Sequence, residues 1–206
     1  MANTNRPFGL RPKYPSGASE WNGKGRPYYV PSTYATNLFI GDPVIWTGTS
    51  NTTLVRVIDG EFVIGSMPEV NIATVGSGNK ITGVIVGFMP TSRESNIYGA
   101  ASTERVALVC DDARMVYEIQ DDGGGALAAV TVGLDAVLIA GTGSTVTGQS
   151  AYALDGGTTT APAANAAYQL KIIGAANYPS NDATSDYAIW NVLINIPSFA
   201  HGVAGV

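Results

Sequence analysis

Few residues in this chain can move a proton, attack a bond or hold a metal, and their spacing favours none of these chemistries. His201 is the single histidine and Cys110 the single cysteine, so a Ser-His or Cys-His mechanism would depend on a residue of the C-terminal tail. His201 is read instead as a surface or interface histidine. A lone cysteine gives no disulfide framework, no CxxC pair and no thiolate zinc site. Gly148-Gln149-Ser150-Ala151-Tyr152 approaches a nucleophile elbow but ends in Tyr where the pattern requires Gly. Gly23-Lys24-Gly25 lacks the glycine spacing and the Ser/Thr of a phosphate loop. Carboxylates gather at Asp111, Asp112, Glu118, Asp121 and Asp122. Their offsets fit neither an EF-hand loop nor a glycine-rich calcium repeat, and they read as a solvated turn, with an adventitious calcium site as the lesser alternative. No catalytic residue, cofactor or resident metal is assigned.

Interface chemistry remains, and it is concentrated in residues 1–37. This segment holds five of the eleven prolines and six of the eighteen aromatic residues, without a hydrophobic period of 2 or 3.6. Its five cations stand against the single Glu20, a net +4, which leaves −9 for the rest of a chain whose total is −5. Such a segment reads as a long extended N-terminal arm on an acidic body. Arg6, Phe8, Arg11, Tyr14, Trp21, Arg26, Tyr28, Tyr29 and Tyr34 are its candidate interface residues, because Arg, Tyr and Trp anchor interfaces and proline lowers the entropy cost of ordering. Fully extended, the arm would reach on the order of 120 Å.

The elements expected to carry this arm are short strands. From residue 38 onward, apolar or alternating runs recur at roughly the 8 to 12 residue spacing of an all-β sandwich, jelly roll or barrel. They fall at 53–58, 62–64, 70–75, 81–88, 105–109, 115–120, 136–140, 150–154, 168–173 and 188–196. Cys110-Asp111-Asp112-Ala113-Arg114 is expected to turn a hairpin, 161–167 to form the one helical turn, and Gly123-Gly124-Gly125 to be a flexible joint. The buried phase of the runs nominates Trp46, Val84, Val86, Val106, Leu108, Val116, Leu138, Leu170, Ile172, Trp190, Val192 and Ile194 as core. Residues 1–37 are thus taken as arm and 38–206 as body.

Composition narrows the partners. A sequence pI near 4.7 and six cations scattered over the body make no basic stripe, so nucleic acid is not expected. No apolar run approaches the ~20 residues that span a bilayer, and MANTNRPFG lacks the apolar run of a signal peptide, so no membrane partner is expected and the chain should stay in the cytosol of its producer.

The opening NRPFGLRP, the stretch LFIGDPVIWTG, the run ITGVIVGF and the ending YQLKIIGAANYPSNDATSDYAIWNVLINIPSFAHGVAGV resemble the head decoration, or cement, proteins of tailed bacteriophages. The ending departs from the pattern at Ile196-Pro197-Ser198, where a polar Asn-His pair is usual, so no role passes to His201. The resemblance implies a virion structural protein without enzymatic activity. Such a protein would bind the outer surface of the major capsid protein shell as a homo-oligomer, a dimer or trimer. Two other readings are weighed. A tail or receptor-binding component would show fibre repeats, which are not visible here; a glycan hydrolase acting through the 118–122 carboxylates lacks candidate partners for them.

Overall fold

A computed structural model describes residues 3–17, 20–125 and 127–199. The body is all-β, and the one helical element among the described residues is a 3-10 turn at Ala129–Thr131. Five strands close a barrel in the order β2 (Arg26–Val30), β6 (Pro68–Ile72), β3 (Pro43–Ser50), β7 (Gly83–Met89), β8 (Arg105–Cys110). A second sheet is antiparallel throughout, in the order β1 (Arg11–Pro15), β9 (Met115–Gln120), β14 (Ile189–Ile194), β13 (Leu170–Ala175), β10 (Asp135–Ala136). A hairpin of β4 (Val55–Val57) and β5 (Gly60–Phe62) and a ribbon of β11 (Leu138–Ile139) and β12 (Ala153–Leu154) complete the chain.

Alternation along the strands explains how barrel and sheet meet. Trp190, Val192 and Ile194 of β14, Leu170 and Ile172 of β13, and Met115, Tyr117 and Ile119 of β9 point to one side of the sheet and pack with Ile81, Val84 and Cys110 from the barrel. Tyr28, Val30, Val44, Val70, Ile85, Ala107 and Val109 fill the barrel. A smaller cluster of Tyr29, Val55, Val57, Met67 and Val106 lies under the β4–β5 hairpin. Closing the barrel removes free strand edges, and Pro12 and Pro15 break the donor row of the edge strand β1.

The N-terminal segment is not an arm that stands off the body. Residues 11–15 form the edge of the sheet and residues 26–30 close the barrel, while Leu10, Tyr28, Tyr29 and Val30 are buried. Each strand is only five residues long and proline-interrupted, too short to show a period by itself. Partners 75 to 107 residues away in sequence, at 105–109 and 115–118, supply the order.

Other elements differ from expectation for equally local reasons. Bulges shift the register of β7 at Ile85/Gly87. Both walls of the barrel are covered, so Val84 and Val106 are buried as expected, Val86 and Leu108 are half-exposed, and Ile85, Ala107 and Val109 are inside. Trp46 is half-exposed, its indole nitrogen donating to the Thr49 carbonyl at 3.1 Å. The other nominated core residues, Val116, Leu138, Leu170, Ile172, Trp190, Val192 and Ile194, are buried. Residues 110–114 do not turn a hairpin within one sheet; they carry the chain from β8 in the barrel to β9 in the second sheet. Residues 161–167 form bends and turns rather than helix. At the expected joint, a Cβ on Gly123 would lie 2.3 Å from the Tyr187 ring and one on Gly124 1.8 Å from Thr158 Oγ1, so these glycines permit tight packing. His201 lies outside the described residues.

Candidate functional site

The outer face of the second sheet centres on a buried acid. Glu118 alternates away from the core shared with the barrel, yet it is 2% exposed. Arg11 lies opposite it in the β1–β9 register, and the bulge between Pro12 and Tyr14 leaves Lys13 beside the same position. Arg11 donates through Nη2 at 2.6 Å and Nε at 3.2 Å to Glu118 Oε2. Lys13 Nζ and, at 2.5 Å, Tyr178 Oη donate to Oε1. Burial pushes the carboxyl up, but the hydrogen bonds from Lys13, Tyr178 and Arg11 outweigh it and hold Glu118 below the ordinary carboxylate range. Lys13 loses to burial and gains more from Glu118, so its ammonium is held above the usual lysine value. Its Nζ also lies 4.9 Å from the centre of the Tyr178 ring, and the Arg11 guanidinium lies 4.6 Å from that of Phe8.

Glu118 therefore acts as a clamp on β1 and on the 177–187 loop. Both its oxygens are engaged by donors from this chain, and the neighbouring acids are likewise committed. Asp121 accepts from the backbone N–H groups of Gly123, Tyr187 and Ala188 and from the Trp190 indole. Asp122 accepts from the N–H groups of Gly124 and Gly156. Of the carboxylates that read as a solvated turn, Glu118, Asp121 and Asp122 thus tie distant segments together, whereas Asp112 is exposed and, among the described residues, accepts only the nearby Arg114 N–H. Among the described residues no group of three His, Cys, Asp or Glu side chains is placed to hold a metal.

The residues nominated as interface divide into two sets. Arg6, Phe8, Arg11, Tyr14 and Trp21 lie on or beside β1 with side chains exposed or half-exposed. Arg11, Lys13, Tyr14, Trp21, Glu118 and Tyr178 line one groove of about 550 Å3. Arg26 is exposed, 3.6 Å from Asp111 and 5.8 Å from the centre of the Tyr28 ring. Tyr28 and Tyr29 are 0% and 7% exposed, so they serve the protein's own cores rather than a partner. The Tyr28 and Tyr29 hydroxyls donate to Asp111 and Glu104 at 2.8 and 3.0 Å. Tyr34 is half-buried against the barrel core, its Oη accepting from the Ile72 N–H at 3.1 Å.

Sequence reasoning did not find Tyr178, Gln120 or Asn3. Gln120 ties down the start of the chain, accepting from the Arg6 N–H and donating to the Thr4 and Tyr187 carbonyls. Asn3 does the same on the 177–187 loop, donating to Asp182 and Asp186 carbonyls and accepting from the Asp182 N–H. Comparisons with family models, with curated proteins and with solved structures find no match.

Proposed function

We propose that this protein is a virion structural component that decorates and stabilises a capsid, binding the outer surface of the major capsid protein shell as a dimer or trimer. The groove that gathers Arg11, Tyr14, Trp21 and Tyr178 on one rigid face carries this reading. Arg, Tyr and Trp are the residue types that dominate binding energy, and here β1 and Glu118 hold them in place before any partner arrives, which lowers the entropy cost of association. The sequence resemblance to head decoration proteins supplies the shell as the surface bound. The binding element is then a folded face, and the cations of residues 1–37 are partly engaged by Glu118, Asp111 and the chain's own aromatic rings. No helix among the described residues is long and apolar enough to cross a membrane, in keeping with assembly from the host cytoplasm onto a particle.

Undecorated heads titrated with the full chain test the reading. Deleting residues 1–37 would remove a barrel strand, so point variants are needed. Trp21→Ala and Tyr14→Ala, each shown to keep the thermal midpoint, should weaken attachment by tenfold or more, about 1.4 kcal/mol. Equal binding by wild type and both variants would show that this face does not dock. Binding to tails in place of heads would favour a tail component.

A further inference from the structure

A second cleft, which shares no lining residue with the groove around Glu118, lies between the turn at 35–42 that enters β3 and the loop at 141–152. It encloses about 430 Å3 and is lined by Asn37, Asp42, Thr142, Thr145 and Tyr152, among others, with no lysine, arginine or histidine. Asp42 is 2% exposed, and its carboxyl accepts the Phe39 N–H at 2.8 Å and the Ser150 hydroxyl. Tyr152 is 9% exposed, and its phenol has no hydrogen-bond partner among the described residues. Asp42 lies close enough that its charge bears on that phenol. Asn37 accepts the Ala101 N–H through Oδ1, which leaves its NH2 without a described partner. The wall formed by 141–152 is built before any ligand arrives. The Ser144 N–H donates to the Gln149 carbonyl and the Gly148 N–H to the Ser144 carbonyl, and a Cβ on Gly143 would lie 2.3 Å from the Phe39 ring.

These groups define what can bind. A buried carboxylate with no cation beside it repels phosphates and carboxylates. An ammonium ion would satisfy Asp42 but, having donors only, would leave the Tyr152 hydroxyl and the Asn37 amide with nothing to donate to. A carboxylate has about four acceptor sites, so beyond Phe39 and Ser150 Asp42 can take a further donor while the Tyr152 hydroxyl needs an acceptor, and a ligand that supplies both at adjacent positions fits. Neighbouring hydroxyls of a sugar ring do both, and the volume lies within the range of small-ligand sites. We propose that this cleft is a binding site for a neutral saccharide, with Asp42 accepting from the sugar hydroxyls and Tyr152 donating to them.

Saturation-transfer NMR on the full chain, with the methyl glycosides of glucose, galactose, mannose and N-acetylglucosamine as probes, tests the proposal. At least one should bind, with amide shifts confined to residues around 37–42 and 141–152. Tyr152→Phe, which removes one oxygen and leaves the ring in place, should weaken that binding about tenfold at an unchanged thermal midpoint. Asp42→Asn should weaken it as well. The proposal fails if none of the four glycosides binds, if shifts map elsewhere, if Tyr152→Phe binds like wild type, or if methylammonium displaces the sugar's contacts and binds more tightly than any glycoside.

Discussion

Replacing Glu118 by Gln probes the clamp that holds β1 on the body. The exchange keeps the size and one acceptor oxygen but removes the charge and turns an NH2 toward the donors that Glu118 now accepts from. Breaking a fully buried ion pair costs ~3–5 kcal/mol, whereas an exposed pair contributes ~0–1 kcal/mol. Here the carboxylate side chain is 2% exposed, while those of Arg11 and Lys13 are 55% and 32% exposed. The loss should fall between these limits, at about 2–3 kcal/mol. For a chain of this length each kcal/mol moves the midpoint by roughly 2–4 °C, so the melting point should drop by roughly 4–12 °C. Hydrogen exchange should quicken at the Arg11 and Tyr14 amides before it does so in β14. Because the Glu118 carboxyl is held below its ordinary value, its stabilisation is present above the unfolded-state value and lost only as pH falls through the folded one. A Glu118→Leu, Lys13→Met double variant, which replaces charges by apolar groups, should recover part of the loss. A melting point for Glu118→Gln within about 1 °C of wild type, with unchanged exchange in β1, would refute the clamp.

Asp42 should give the opposite pH dependence. Burial outweighs its hydrogen bonds to Ser150 and Phe39 and pushes the carboxyl up to about 6 from 3.8, so the native state holds a proton that the unfolded chain has lost. Stability from this group therefore falls as pH rises from 3.8 to about 6, by about 3 kcal/mol; melts of wild type and Asp42→Asn across that range should diverge, and parallel curves would contradict this. Gly9 has φ +72°, and a Cβ there would lie 2.3 Å from the Gly41 carbonyl oxygen. Gly9→Ala should cost roughly 2–5 kcal/mol in a denaturant melt, from backbone strain plus overlap, and a neutral effect would show that the approach is not so close. Trp190 is 1% exposed and its indole donates to Asp121 at 3.3 Å, so Trp190→Ala should cost ~3–5 kcal/mol, and an unchanged melting point would place the ring outside the core.

The strand class and the phase of the last strand were legible because Trp190, Val192 and Ile194 alternate cleanly with Asn191 over a run long enough to show a period. The Arg11–Val30 region was not. RPKYP and RPYYV are ordered by neighbours 75 to 107 residues away, and nothing local distinguishes a proline-rich strand from a proline-rich arm. The same distance hid the site. Arg11 and Glu118 were both singled out, one as an anchor for a partner and the other as a stray acid, yet only the β1–β9 register brings them together. Nothing local in Gly41-Asp42-Pro43 marks its acid as buried; the burial depends on the 141–152 loop folding over it. The β7 bulge shows how one extra residue inverts a phase taken from alternation alone.

Locating the protein on a purified particle, by cryo-electron microscopy at a resolution that orients the fold, tests the central claim most directly. The account predicts a fixed ratio to the major capsid protein on the outer surface of the head, with the groove of Arg11, Tyr14, Trp21 and Tyr178 turned toward the shell. Density at the tail, or on the head with that groove facing solvent, would contradict it.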